Sequence, residues 1–458
     1  MRVLLLNPPG RETYIRDYFC SKTTKSNYLF HPVDLLGLSG TLAERYEVDV
    51  LDCMAERLGP AAARARIDAF DPSVIVSLVG SVSWDEDRAF LAEVHASGRR
   101  VFAIGDVLHE DAETRLAEEP WLELALDDFT NLDAVYGIER DYDALERATW
   151  RDENGAIHVR RAAHAAKEFR LPRPRHELFP AEGYRFSFAR QPRFATVLSD
   201  YGCPYPCTFC VIGTLGFKTR PVADVLEELD ALRADGVSEV FFMDQTFGIR
   251  RERAFELCDA MAERGDLSWT GFTRPDTADE EMLAAMKRGG CHTVIMGVES
   301  ASDELLTLYK KGYDASSVAG AFERAKAAGL RTVGTFIVGL PEDTRETLED
   351  TLRLAQGLEL DFMSLNVAVP RFGTDFRGQA IEDGLASRGD LVMDQGGAAA
   401  HLPTGAMSRD EVLAFKKQMV RRFYLRPSYL WRRLRTVNGP TELLGQVREG
   451  LALLGRNV

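Results

Sequence analysis

The sequence predicts an α/β protein with two successive parallel-sheet domains and a helical C-terminal region. Short apolar segments alternate with helix-length amphipathic segments through residues 1–150, and the same alternation returns through 191–376. Residues 151–190 carry alternating charge and prolines, which favour an extended linker. Residues 377–458 show helical periodicity alone. The predicted organisation is therefore a first domain, a linker, a second domain and a helical tail with these bounds.

Composition and charge narrow the class of protein. The 458 residues are 45% hydrophobic, which is ordinary for a globular protein. A formal net charge of −15 argues against a basic protein that coats nucleic acid. No run of 18 apolar residues occurs, and the apolar stretch at the start is too short for a signal peptide. We therefore expect a cytoplasmic protein with reduced thiols, no nucleic-acid partner and no membrane span.

The first domain reads as a doubly wound, flavodoxin-like (Rossmann-like) sheet. An aromatic-rich stretch, 11–32, interrupts its first βα unit, and a loop of this length either covers a ligand or packs on the second domain. Ligands of such sheets bind at the carboxyl ends of the strands. Strands are predicted at 3–7, 48–52, 74–79, 101–104 and 122–126, with helices near 33–45, 60–70, 86–97 and 110–118.

The second domain predicts a partial parallel barrel of six βα units. Helix 222–235 has one apolar face and ends at Gly236. Barrel sites lie at the carboxyl ends of the strands, so the loop after the first strand is a candidate site. The predicted strands are 194–199, 239–243, 269–273, 293–298, 331–338 and 362–369.

That loop contains Cys203, Cys207 and Cys210, spaced C-x3-C-x2-C. Thiolates are soft ligands suited to zinc or to iron–sulfur clusters. A closed structural zinc site needs four ligands, and no fourth Cys or His lies nearby in the sequence. The pattern therefore favours a [4Fe-4S] cluster with one open iron over a reduced-thiol loop or a zinc site with a distant fourth ligand.

The loop resembles the radical S-adenosylmethionine (radical SAM) superfamily, through Gly202-Cys203-Pro204 and the aromatic Phe209 before the last cysteine. The resemblance implies a (β/α)6 fold and reductive cleavage of SAM to a 5′-deoxyadenosyl radical. It also implies SAM contacts at the ends of the strands. The implied residues are Phe209 in the cysteine loop, Asp244 and Gln245 near the methionine amino group, and Arg274 near the methionine carboxylate. Glu299 and Ser300 are implied near the ribose, and Gly339 and Val369 near the adenine.

The first domain resembles the cobalamin-binding domain of cobalamin-dependent radical SAM enzymes, through Asn7-Pro8-Pro9 and the stretch 51–56. Met54 stands where some cobalamin proteins place a histidine ligand of cobalt, so no such ligand is expected. A retained domain without cobalamin is the alternative. The resemblance implies cobalamin contacts at Asn7, Pro8, Asp52, Met54, Val79, Gly80, Ser81 and Gly105.

The helical tail begins with a capping box, Ser408 with Glu411. Residues 409–435 hold nine Lys or Arg together with several aromatic residues. This pattern is typical of a charged outer face over a docked helix. It also suits an anionic substrate site or peripheral contact with a membrane surface.

The predicted function is a cobalamin-dependent radical SAM methyltransferase acting on an unactivated carbon of a small-molecule or lipid-like substrate. An electron donor such as flavodoxin or ferredoxin is the expected partner. The alternatives are a radical SAM cyclisation, rearrangement or oxidation enzyme, or an iron–sulfur sensor. The sequence assigns no catalytic acid or base.

Overall fold

A computed structural model gives the structure of residues 1–23, 28–163, 167–391, 394–396, 399–436 and 450. The part of the predicted helical tail at 437–449 and 451–458 lies outside these residues. Two large sheets dominate the fold, one in each predicted α/β domain.

The first sheet forms where the sequence places short runs of Val, Ile and Leu, which suit strands buried on both faces. Its helices cover both faces and bury their own apolar sides. Its strands are β1 (Arg2–Asn7), β4 (Glu47–Asp52), β5 (Val74–Leu78), β6 (Arg100–Ile104), β7 (Leu122–Leu126), β8 (Arg147–Arg151) and β9 (Ile157–Arg161). Strands β2 (Tyr14–Arg16) and β3 (Cys20–Lys22) form a separate antiparallel hairpin. The helices are α1 (Val33–Ala43), α2 (Pro60–Phe70), α3 (Trp84–Ala96), α4 (Leu108–Glu118) and α5 (Asp133–Glu139).

The order of the main strands is β4-β1-β5-β6-β7-β8-β9, and the first five are parallel. This confirms the predicted doubly wound sheet. The order reverses between β1 and β5, so the switch point, where such sheets bind ligands, lies at the carboxyl ends of these two strands.

The predicted end of the first domain at residue 150 is wrong, because β8 and β9 extend the sheet to Arg161 as an antiparallel hairpin. A turn at 152–156 joins them, and the Asp152 carboxylate accepts hydrogen bonds from the backbone N–H of Asn154 and Ala156. The alternating charges that suggested a linker belong to a half-exposed edge hairpin.

The second sheet is parallel throughout, with order β10-β13-β14-β15-β16-β17, and confirms the six predicted βα strands. Helices pack their apolar faces against its outer side. Its strands are β10 (Ala195–Val197), β13 (Glu239–Phe242), β14 (Ser268–Thr273), β15 (Cys291–Glu299), β16 (Arg331–Val338) and β17 (Phe362–Val367). Strands β11 (Asp200–Gly202) and β12 (Phe217–Thr219) form a separate antiparallel pair. The helices are α6 (Val222–Ala234), α7 (Arg251–Arg264), α8 (Glu280–Arg288), α9 (Asp303–Leu308), α10 (Ala315–Ala327) and α11 (Arg345–Gly357).

Three further helices follow the barrel: α12 (Asp375–Glu382), α13 (Arg409–Tyr424) and α14 (Pro427–Thr436). The predicted capping box of α13 is confirmed, and its apolar face is buried against the barrel. None of the helices in the described ranges is long and apolar enough to cross a membrane.

Candidate active site

Three thiols of one loop face a single large cavity. The loop starts at β11, which pairs with β12, so both of its ends are held together. Gly202 has a φ of 76°, and a Cβ there would lie 1.6 Å from the carbonyl oxygen of Gly216, so the turn requires glycine. The backbone N–H of Cys203 donates to Gly216 at 3.1 Å, and that of Cys210 donates to Cys207 at 3.0 Å. All three cysteines line a cavity of about 2060 Å³.

This donor set fits a [4Fe-4S] cluster. Burial raises the pKa of Cys203, and it raises the pKa of Cys210 to about 11, so the thiols ionise when a metal displaces their protons. The Arg274 guanidinium lies 3.8 Å from the Cys207 sulfur, so a cation stands beside the thiols. The described cavity wall contains these three cysteines and no histidine. Three thiolates leave one iron of such a cluster open to SAM.

Arg274 follows β14 and lies beside the thiols, and its contact with SAM stays a prediction. Its Nε and Nη2 atoms both lie 2.9 Å from the Asp276 carboxylate, and Nη2 also donates to the Lys311 carbonyl at 2.7 Å. The guanidinium stacks 3.5 Å from the centre of the Tyr205 ring. These contacts fix its plane against the loop.

A buried ion pair at the end of β15 adds a second cation to the same wall. Glu299 has a φ of 64°, in the left-handed region, and its carboxylate lies 2.9 Å from the Lys311 ammonium. Burial lowers the pKa of Lys311, but Glu299 and Tyr313 together raise it by more than burial lowers it. The pKa of Lys311 therefore lies above its usual value. Lys311 therefore stays charged, 5.6 Å from the centre of the Phe209 ring.

The cavity brings together five of the eight predicted SAM residues: Phe209, Gln245, Arg274, Glu299 and Val369. The other three point elsewhere.

Asp244 does not reach the cavity. The prediction that it contacts the methionine amino group is therefore wrong. Its fully buried carboxylate accepts hydrogen bonds from the N–H and hydroxyl of Ser199 and from the N–H of Asp200. It therefore anchors the start of the cysteine loop. An acidic residue at a strand end looks the same in a sequence whether it binds a ligand or the neighbouring backbone.

Ser300 and Gly339 are likewise placed outside the cavity. The Ser300 hydroxyl accepts a hydrogen bond from the N–H of Ser302 at 3.1 Å, so it caps the next turn. A Cβ on Gly339, whose φ is 83°, would lie 2.7 Å from the Val412 side chain. This glycine therefore permits close packing of α13 rather than approach of the adenosyl group.

The eight residues predicted to hold cobalamin are all buried, and none lines the cavity. The hairpin of β2 and β3 folds back over them from the 11–32 loop. Arg16 on β2 inserts into the switch point, where it donates to the Asn7 side chain and the Pro8 carbonyl and pairs with Asp87 at 2.6 Å. Both charged side chains of this pair are fully buried.

The other predicted cobalamin positions are also used by the chain itself. Asp52 accepts the Tyr184 hydroxyl at 2.8 Å, and the Met54 sulfur accepts the N–H of Tyr14 at 3.4 Å. A Cβ on Gly80 would lie 2.3 Å from the Cys20 sulfur, and one on Gly105 would lie 1.7 Å from the Val79 carbonyl. Ser81 donates twice to Asp106. As the hairpin lies here, these residues leave no cradle for cobalamin.

The 11–32 loop also packs on the second domain, so both interpretations of it have a part in the structure. Tyr18 contacts Tyr201 edge-on at 5.8 Å, and Phe30 contacts Phe241 at 5.6 Å between ring centres. Phe19 lines the cavity.

Sequence reasoning missed several cavity residues. Lys311 lies beyond α9, one element after the end of β15, and Arg371 lies in the loop that directly follows β17. The segment 181–193 lines the cavity, and all but its last three residues belong to the predicted linker 151–190. Its aromatic residues Phe186 and Phe188 were the available signal, because exposed linkers rarely carry such side chains.

Comparisons with known proteins agree with this geometry. Residues 199–355 match the model of the radical SAM superfamily. The chain is 30% identical over 400 residues to an uncharacterized methyltransferase of Pyrococcus horikoshii, covering 84% of each protein.

Two solved structures share the fold. The radical SAM methyltransferase TsrM from Kitasatospora setae, with cobalamin and a [4Fe-4S] cluster bound, matches with a TM-score of 0.65 at 20% identity, over 85% of this chain and 76% of TsrM. The cobalamin-dependent radical SAM enzyme OxsB matches with a TM-score of 0.69 at 14% identity, over 99% of this chain and 71% of OxsB. By its thiol loop, the match over residues 199–355 and the relative that it covers over 84% of its length, the chain belongs to the radical SAM superfamily.

Proposed function

We propose that this protein is a radical SAM methyltransferase acting on an unactivated carbon of a small-molecule or lipid-like substrate. The observation that carries the proposal is the shared cavity wall. Cys203, Cys207 and Cys210 lie there together with Arg274 and Lys311. Soft donors for a cluster and two cations for a carboxylate thus meet at the carboxyl end of one barrel.

Each group has a role that follows from its chemistry. The three thiolates hold the cluster. Arg274 and Lys311 attract the methionine carboxylate, because charge-assisted hydrogen bonds are strong away from water. Phe209 and Val369 pack against the adenosyl part. A reduced cluster held by these thiolates would supply the electron for reductive cleavage of SAM, with methionine and 5′-deoxyadenosine as the products once a hydrogen atom is taken from the substrate carbon.

Cobalamin is the proposed methyl carrier. Its uptake requires the β2–β3 hairpin to move off the strand ends, because Arg16 occupies the switch point in this structure. A bound cobalamin would supply the methyl group, which it would draw from a second SAM with S-adenosylhomocysteine as the product.

The test needs no substrate. Protein purified without oxygen and supplied with hydroxocobalamin should contain four irons and about one cobalt per chain. With SAM and dithionite it should form 5′-deoxyadenosine, and only the cobalt-loaded protein should form S-adenosylhomocysteine. Changing Cys203, Cys207 and Cys210 to Ala should abolish iron and 5′-deoxyadenosine, whereas Cys258→Ala, in the core beneath α7, should retain both. Iron retained by the triple variant would refute the assignment, and cobalt-free protein would refute the methyl carrier.

The electron comes from outside the chain, and we propose a flavodoxin or ferredoxin in the cytoplasm as its donor. Reduced thiols agree with that compartment, because all seven cysteines are free. Reduced flavodoxin should support 5′-deoxyadenosine formation in place of dithionite; failure of both flavodoxin and ferredoxin would refute this partner.

We further propose peripheral membrane contact at α14. Leu425, Leu430, Trp431 and Leu434 are each about half exposed, and no acidic residue occurs from Val412 to Arg435. A basic segment with exposed apolar side chains suits an anionic lipid surface. The protein should sediment with phosphatidylglycerol vesicles and less with phosphatidylcholine vesicles. The double variant Trp431→Ser with Leu434→Ser should no longer sediment with phosphatidylglycerol vesicles. Val159→Ser, at an exposed apolar residue that serves as the control, should sediment as the wild type does. Equal sedimentation of all variants would refute the contact.

A further inference from the structure

The cavity wall is strongly basic in an acidic protein. Nine Lys or Arg residues line it against two acidic residues, Glu182 and Glu299, although the whole chain has a net charge of −15. A cleft of one sign concentrates ligands of the opposite sign. The nine are Arg185, Arg190, Arg193, Arg274, Lys311, Arg331, Arg371, Lys416 and Arg433.

Arg371 differs from the other buried arginines. It follows β17 and is 8% exposed. Its guanidinium donates no hydrogen bond and forms no ion pair within the described residues, and its Nη2 atom is buried without a partner. Each of the other buried arginines in the described ranges lies within 4 Å of a carboxylate: Arg16 at Asp87, Arg220 at Glu228, Arg274 at Asp276, Arg377 at Glu110 and Arg433 at Asp361.

A buried guanidinium without a counter-ion is costly, because its lost hydration is not replaced. Burial lowers the pKa of Arg371, although Asp106 and Cys210 oppose this from a distance. The Phe19 ring, 4.4 Å away, supports one face of the guanidinium and leaves its edge to the cavity. The side chain is thus held in place and lacks an anion.

The rest of the cavity suits an apolar body. Around and beyond the thiols, its wall carries Phe241, Phe272, Ile295, Ile337 and Phe362. Toward α14 it is lined by Leu430 and Leu434, both about half exposed, so the opening to solvent is apolar too. A ligand that fits both features combines a large apolar part with an anionic group.

We propose that the substrate is an anionic amphiphile whose carboxylate, sulfonate or phosphate group binds Arg371 while its apolar body fills the cavity. This rests on the proposed function, because it names the substrate of that site. The methionine carboxylate of SAM is the other anion able to reach this wall, and the experiment separates the two.

The experiment measures binding to the cluster-loaded protein by equilibrium dialysis. The probes are 8-anilinonaphthalene-1-sulfonate and N-phenyl-1-naphthylamine, which share a ring system and differ in the sulfonate. The wild type should bind the anionic probe about tenfold more tightly, as expected for a charge-assisted hydrogen bond. Arg371→Gln should remove that difference, Arg371→Lys should restore part of it, and Arg251→Gln, an exposed cation outside the cavity wall, should leave it intact.

Three outcomes would overturn the proposal. They are equal binding of the two probes by the wild type, an unchanged preference in Arg371→Gln, and a loss of SAM affinity in Arg371→Gln with the probe preference intact. Iron content and Tm verify that the variants fold. Failure of the proposed function is distinct, since it shows as absent 5′-deoxyadenosine in wild type that still prefers the anionic probe.

Discussion

Arg274 is held by contacts that a lysine cannot reproduce. Its fork binds both oxygens of Asp276, and its plane stacks on Tyr205 beside the Cys207 sulfur. Arg274→Lys should therefore weaken SAM binding about tenfold and leave four irons per chain. Equilibrium dialysis of SAM and an iron assay measure the two effects. Arg251→Lys, an exposed ion-pair residue, is the control. Unchanged SAM affinity would remove Arg274 from the site.

Lys416 makes stability depend on pH. Burial lowers its pKa from 10.5 to about 8, so between these values the unfolded chain binds the proton that the native protein has lost. The free energy of unfolding should therefore rise with pH across this window, by at most ~1.4 kcal/mol per pH unit, and the contribution is absent below pH 8. Urea unfolding of Lys416→Met should show a smaller slope than the wild type. Lys167→Met, at an exposed lysine elsewhere in the chain, should match the wild type, and a slope in Lys416→Met identical to that of the wild type would contradict this.

At the scale of elements, the cysteine loop depends on the close approach of two glycines. Gly202→Ala would place a Cβ 1.6 Å from the Gly216 carbonyl at a φ of 76°. We expect the β11–β12 pairing to open and iron incorporation to fall well below four per chain. Gly357→Ala, at the end of α11 with nothing within 4 Å, should retain full iron. Full iron in both variants would show that the turn tolerates a side chain.

The β2–β3 hairpin is fastened by the buried Arg16–Asp87 pair. Arg16→Met leaves the buried Asp87 carboxyl without its counter-ion, which should cost about 3–5 kcal/mol in the free energy of unfolding. The double variant with Asp87→Leu should recover most of this. Urea unfolding measures both, and hydroxocobalamin uptake should be faster in the double variant because the switch point is released. A double variant as unstable as Arg16→Met, or with unchanged uptake, would contradict this role.

At the scale of the molecule, SAM binding should stabilise the fold only when the cluster is present. A ligand at 100 times its Kd stabilises the native state by about 2.7 kcal/mol. The Tm of the cluster-loaded wild type should rise accordingly with SAM, while the variant lacking Cys203, Cys207 and Cys210 should not respond. An equal rise in both would place SAM away from the cluster.

The strands and the cysteine loop were predictable because their signals are local. Apolar runs specify β1 and β13–β17, and the thiol spacing specifies the cluster. The site residues were predictable only in part, because the sequence does not show which way a strand-end side chain turns. The Asp244 carboxylate accepts a hydrogen bond from the backbone N–H of Ser199. Arg16 lies on a loop, nine residues after Asn7, and its side chain occupies the switch point. Contacts of this kind are set by tertiary packing.

The wall formed by 181–193 has a consequence for how such an enzyme acquires new substrates. This segment lies beside the barrel and contributes no strand to its sheet. The thiols and their supporting residues, by contrast, belong to the strand ends. Insertions in a surface segment cost little, since loop-closure entropy grows slowly with length. The cavity can therefore be enlarged, or lined with other side chains, while the strand ends that carry the thiols stay unchanged. Reactivity and selectivity are thus free to evolve separately.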